Sequence, residues 1–210
     1  SDWTIRGQAG TGYRAPSLFE LYSAAYGDPT LQPETSASVD LGIERRIGED
    51  GFVRATAFWL QVEDLIGYDP VTYRSAQTDG TTTRSGVEIV AEVPLSERFT
   101  LHGDFTHTSS DVAGNVVWAD VPENVLGLGI EAAVTDRIGA RFDLRHVADR
   151  ADLPDYTLAD AAITYDFSDD LGVYLRVENL FDEQYHLVNS WGTAYGTPDR
   201  SIYVGINARF

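Results

Sequence analysis

An antiparallel transmembrane β-barrel is the fold class this sequence predicts, and three observations predict it. Apolar and polar residues alternate with period two through almost the whole chain, as in strands that separate two environments. The connections come in two lengths that take turns, which sorts short turns to one end of a meander and long loops to the other. The polar face carries Arg, Asp or Glu in nearly every segment, too much charge for a dry core and natural for a wet lumen.

About ten strands follow from this pattern. The first, 2–9, sets Trp3, Ile5, Gly7 and Ala9 against Asp2, Thr4, Arg6 and Gln8. The second, 34–47, alternates Val39, Leu41 and Ile43 with Asp40, Gly42 and Glu44, and a third is expected over 51–66. The fourth, 72–93, has Val87, Ile89, Ala91 and Val93 on one face and contains a possible break at Asp79-Gly80. Phe99, Leu101 and Phe105 mark 98–109; Leu126, Leu128, Ile130 and Ala132 mark 124–134; Ala140, Phe142 and Leu144 mark 138–148. Ala159, Ala161, Ile163 and Tyr165 define 156–167, Leu171, Val173, Leu175 and Val177 define 170–180, and Ile202, Val204, Ile206, Ala208 and Phe210 define 199–210. Short polar turns at 48–51, 94–98, 135–137 and 167–170 alternate with aromatic- and Gly-rich stretches at 10–33, 67–71, 109–123, 148–155 and 182–198. An even strand count puts both chain ends on the short-turn side.

Composition narrows the function classes. No apolar run approaches the roughly 20 residues of a membrane helix. All 15 basic residues are Arg, set against 33 acidic ones, and the net charge of -18 repels nucleic acid. Without Cys there is neither disulfide nor thiolate metal site. The glycine-rich GQAGTG stretch lacks a βαβ context and a P-loop lysine, and no G-x-S-x-G elbow appears, so nucleotide binding and triad hydrolysis are set aside.

Several stretches, in order, resemble the TonB-dependent outer-membrane receptors, specifically the C-terminal part of their β-barrel. They are GTGYRAPSLFELY (Gly10 to Tyr22), GDPTLQPETSASVDLGIERRI (Gly27 to Ile47), AFWLQVEDLIGYD (Ala57 to Asp69) with RSGVEIVAEV (Arg84 to Val93), YTLADAAITYDFSDDLGVYLRVENLFDEQY (Tyr156 to Tyr185) and GTPDRSIYVGINARF (Gly196 to Phe210). The resemblance, with a cobalamin- or siderophore-receptor look, implies a Gram-negative outer-membrane receptor for a scarce nutrient such as an iron-siderophore complex or cobalamin. Residues 1–210 are expected to form a single barrel domain that supplies wall and extracellular loops. The family's plug domain and TonB-contacting box are not in this sequence, so TonB and plug are partners only in a full-length receptor. The chain is then either part of a larger barrel or a small closed barrel of about ten strands. A passive outer-membrane pore, an outer-membrane barrel enzyme and a soluble β-domain are the rival readings; the expected role is not enzymatic.

Candidate residues follow. Tyr26, Trp118, Tyr156, Tyr185, Trp191 and Tyr195 lie in or beside long loops, and of these Trp118, Trp191 and Tyr195 are the candidates for stacking on a flat ligand. No metal site is expected among His102, His107, His146 and His186, and no cofactor; Asp149, Asp152 and Asp155 have a spacing compatible with Ca²⁺. Arg14 is expected to pair with a carboxylate of the wall or of a plug. The closing strand, with Tyr203, Gly205, Ala208 and a terminal Phe210, resembles the signal read by the barrel-assembly machinery. Its other partner is the lipid bilayer.

Overall fold

The computed structural model describes residues 2–114, 121–151, 153–190 and 193–209. In chain order its elements are β1 (Trp3–Arg14), α1 (Leu18–Tyr22), β2 (Glu34–Ile47), β3 (Gly51–Glu63), β4 (Ile66–Asp69), β5 (Arg74–Gln77), β6 (Thr81–Ser96) and β7 (Phe99–Asp111). They continue as β8 (Asn124–Ala133), β9 (Ile138–Ala148), β10 (Tyr156–Ser168), β11 (Leu171–Glu178), β12 (His186–Ser190), β13 (Thr193–Gly196) and β14 (Ser201–Ala208). Ten of these strands form one sheet in the order β1-β2-β3-β6-β7-β8-β9-β10-β11-β14, every neighbour antiparallel. The two remaining pairs, β4-β5 and β12-β13, are hairpins inside long loops.

Directly opposed residues share a face, so the pairing register reads out both surfaces of the wall. On one face Ile5 meets Ile43, Val39 meets Trp59, Ile89 meets Phe105, Ile130 meets Phe142 and Leu175 meets Val204. Among the described residues no layer packs on this face: Ile5, Leu41, Leu128, Ile163 and Val204 are all exposed. Strands of up to 16 residues are long enough for the ~9–11 that a tilted membrane strand needs. The apolar face is thus the lipid face. Above it β2, β3, β6, β8, β9 and β10 turn polar at Thr35, Gln61, Ser85, Asn124, His146 and Thr157.

The opposite face is polar and ionic. Glu44 takes Arg6 at 2.8 Å and Arg54 at 2.6 Å, and Asp143 takes His102 and Arg141, each at 2.7 Å. His102 crosses a whole strand to reach Asp143, and Gly129 between them permits it, because a Cβ there would collide with the imidazole. The Phe58 ring likewise reaches over Gly86, its partner on the neighbouring strand, where a Cβ would come within 2.6 Å of it. Large inner side chains therefore lie along the wall instead of filling the lumen.

The structure resolves one alternative and revises three expected strands, the first being β1, expected over 2–9 but paired with β2 as far as Arg14. Among the described residues β1 bonds only β2 and β14 only β11, so the sheet is an open part of a barrel and the small closed barrel is rejected. A closed ten-stranded cylinder would be packed with its own side chains, whereas Arg6 and Arg176 keep more than half of their side-chain surface exposed on the inner face. The third strand stops at Glu63, not at 66, because Asp64 turns into the left-handed region at φ 57°. The expected strand 72–93 is two strands, broken at Gly80, whose φ of 140° suits glycine alone.

Candidate functional site

Burial concentrates at the long-loop end. Leu31, Val62, Leu65 and Ile66 make a small apolar core there, with Thr82 fully buried beside them. That core folds two long connections inward over the lumen, the segment 15–33 and the hairpin β4-β5. The hairpin turn is built by Asp69, whose carboxylate accepts from the Val71 amide at 2.8 Å and the Thr72 hydroxyl at 2.7 Å before Tyr73 reverses the chain at φ 58°. These bonds hold the Asp69 carboxyl below its usual range, the Thr72 hydroxyl contributing most.

Arg14 ties the two connections together. It stands opposite Glu34 on the inner face and grips it with two bonds, Nε to Oε2 at 2.6 Å and Nη2 to Oε1 at 2.7 Å. Its Nη1 reaches Glu20 at 3.0 Å, while Glu34 also accepts the Ile66 amide at 2.6 Å. Glu20 is the third residue of α1, a single turn that Ser17 and Glu20 cap reciprocally. Burial alone would raise the Glu20 carboxyl, but the Ser17 amide and hydroxyl and the Arg14 guanidinium together hold it below its usual value. Arg14 thus pairs with wall and loop carboxylates at once, the wall half of which its position in the sequence had suggested.

A second clasp joins the segment 149–155 to β12. The buried Arg150 donates to the carbonyls of Pro154 at 3.1 Å and His186 at 2.6 Å and lies over the Tyr156 ring, which packs on Tyr185 with centroids 4.5 Å apart. Tyr156 and Tyr185 therefore hold loops together. Asn179, at φ 51°, folds the start of the last loop by bonding the Glu183 amide and carbonyl.

Between 15–33 and the hairpin lies a cleft of about 490 Å³, lined by Ser17, Phe19, Glu20, Tyr26, Gly67, Tyr68 and Ser75. Its walls are fixed to each other. The Ser75 amide donates to the Tyr26 carbonyl at 2.7 Å, and the Gln77 side chain bonds both the amide and the carbonyl of Gln32. Phe19 and Tyr26 stack at 6.2 Å and stay largely exposed.

The residues singled out from the sequence are scattered by comparison. Trp118 and Trp191 lie outside the described residues, and Tyr195 is exposed on β13, away from the cleft. Asp155 accepts the Asp149 amide and Asp149 accepts from Asn124, so both carboxylates fold their loop; Asp152 lies outside the described residues. Among the described residues no three His, Asp or Glu side chains converge as a metal site. Tyr203 and Gly205 face the lumen on β14, Tyr203 under Arg176 at 4.8 Å, and Ala208 ends the strand; Phe210 is outside the described residues. Of the cleft, sequence reading named Tyr26 only. Phe19 and Tyr68 were not singled out; the local features beside them are the S-x-x-E box of Ser17 and Glu20, within which Phe19 lies, and the Asp69-Pro70 turn that follows Tyr68.

Comparison with known proteins converges on the same architecture. A family model described as TonB dependent receptor-like, beta-barrel matches residues 1–180. Over 99% of the chain it is 26% identical to the iron-regulated outer membrane virulence protein of Vibrio cholerae, covering 37% of that protein. Over 96% of the chain it is 29% identical to the vitamin B12 transporter BtuB of Vibrio vulnificus, covering 34%. Among solved structures, the ferric-catecholate import receptor Fiu of E. coli K12 superposes on all of the chain with a TM-score of 0.77 at 18% identity, over 33% of its own length. The copper transporter OprC does so over 99% with a TM-score of 0.81 at 16% identity, over 37% of its own length. The chain thus spans about a third of the length of the relatives it matches.

Proposed function

The chain belongs to the TonB-dependent receptor β-barrel family, and from that premise we propose that it supplies the wall and outer loops of a receptor taking up a scarce nutrient, an iron-siderophore complex or cobalamin. Like its relatives it is an outer-membrane protein. The observation that carries the reading is the contrast between the two sheet ends: plain turns at one, and at the other loops folded inward by Arg14 and Arg150 over an open polar lumen. Residues 1–210 act as one barrel domain, and the role is binding and passage, without chemistry on the ligand. In the full receptor a plug fills the lumen and TonB supplies the energy. Trp118, Trp191 and Tyr195 are the residues proposed to stack on the ligand.

Uptake of labelled ferric siderophores and of cyanocobalamin is the test, in cells expressing the receptor that carries this chain. Accumulation of one ligand that disappears on removing TonB is expected; equal, TonB-independent entry of small solutes would instead establish a passive pore.

Tyr203, Gly205, Ala208 and Phe210 serve together as the signal read by the barrel-assembly machinery, with Phe210 as its aromatic element. Deleting Phe210 lowers the amount of folded barrel in cells while detergent refolding stays near normal; equal losses in both settings would reduce it to packing.

A further inference from the structure

The cleft between 15–33 and the hairpin β4-β5 has a chemistry of its own. Three aromatic side chains, Phe19, Tyr26 and Tyr68, line it, and its ionisable side chain other than tyrosine is Glu20. No arginine lines it. The two connections that line it are acidic: 15–33 and 64–80 carry Glu20, Asp28, Asp64, Asp69 and Asp79 against one Arg, Arg74. Arg74, next to Ser75 on the hairpin, pairs across it with Asp69 in the strand register and interacts with the Asp28 carboxylate. Arg14, the guanidinium nearest the cleft in the wall, is held by Glu34 and Glu20.

From this arrangement we infer that the cleft is a binding subsite for a small planar ring system carrying net positive charge. Aromatic faces present the negative side of their quadrupole and attract a cation lying on them. An acidic mouth concentrates cations and repels polyanions before contact. The walls are cross-tied by the Ser75–Tyr26 and Gln77–Gln32 bonds, so little ordering is needed on binding. Phe19 and Tyr26 form the stacking platform, and Tyr68 closes the opposite side. A ferric complex with several negative charges is disfavoured at this place.

The inference rests on the receptor reading above, and its test is separate from that of uptake. The receptor carrying this chain, purified in detergent, is titrated with a planar acridinium-type cation and with a sulfonated, anionic dye of similar ring size, followed by fluorescence anisotropy at low and high ionic strength. The cation is expected to bind at least about tenfold tighter than the anion at low salt, with the gap closing at high salt. Phe19→Ala should lower cation binding about tenfold, as expected for loss of a stacking face. Tyr26→Leu, which keeps the bulk and the fold, should do the same, and Tyr13→Ala on the outer face should change nothing. Equal or tighter binding of the anion, or cation binding indifferent to both Phe19→Ala and Tyr26→Leu, overturns the inference. Such a result with TonB-dependent uptake intact removes only this subsite, whereas loss of TonB dependence with cation binding intact removes the transport reading.

Discussion

Replacing Arg14 by Ala should release two loops at once. The guanidinium holds Glu34 with two short bonds and Glu20 with a third, and Glu34 in turn holds the Ile66 amide. Without it, two carboxylates face each other at the top of the wall, and the Glu34 side chain, only 10% exposed, keeps a charge without its partner. The pair is half open to water on the arginine side, so the full cost of breaking a buried ion pair does not apply; about 2 kcal/mol is the expected loss, or roughly thirtyfold in the local opening constant. Amide hydrogen exchange should show 15–33 and 64–80 losing protection together while β7 to β10 remain unchanged. Arg14→Lys should rescue little, since a point charge cannot reproduce the two-pronged grip on Glu34 while also reaching Glu20. Loss of protection in one segment only would mean that the two loops are held independently.

Gly86→Ala should damage the wall itself. A methyl group there would collide with the His107 carbonyl oxygen of the neighbouring strand and sit 2.6 Å from the Phe58 ring. A ring can swing away, but a ladder carbonyl cannot move without opening the β6-β7 pairing, so the cost should reach about 3 kcal/mol, the upper part of the overpacking range. Gly103→Ala is the matched control: its new Cβ would come closest to a Leu128 methyl at 3.2 Å, a flexible end that can give way, and its effect should stay below about 1 kcal/mol. Urea midpoints of the receptor in lipid vesicles, with the fraction of heat-modifiable barrel on gels, separate the two. If both substitutions cost the same, the strand spacing at Gly86 is looser than the register requires.

The two substitutions probe parts of the molecule that were unequally legible in the sequence. The wall was open to reading because a strand's side-chain period is two and both of its environments are extreme. Ile5, Gly7 and Ala9 announce a lipid face as plainly as Thr4, Arg6 and Gln8 announce a wet one. The loop end was harder. Its order comes from bonds between residues far apart in the chain, such as Arg14 with Glu34 and Gln77 with Gln32, and no local period encodes those. The possible break at Asp79-Gly80 in the expected strand 72–93 is where the chain divides, but the hairpin β4-β5 before it went unread, because its four-residue strands are too short to show a period. Phe19 and Tyr68 escaped notice because an aromatic residue in a loop looks the same whether it lines a cleft or faces water.

By itself the sequence determined that the chain is an antiparallel wall with lipid on one side and water on the other, with turns and loops sorted to opposite ends. It determined this because alternation and connection length are local properties that survive any choice of partner. Only the tertiary structure decided that the sheet stays open, since the alternation along each strand is the same in a closed barrel and in part of a larger one, and closure depends on strand number, tilt and stagger together. It also decided that Arg14 joins two loops, and that Phe19, Tyr26 and Tyr68 meet around one cleft. Those outcomes depend on where separate segments arrive after folding, and the free energy that brings them together is shared among contacts that no single stretch of sequence contains.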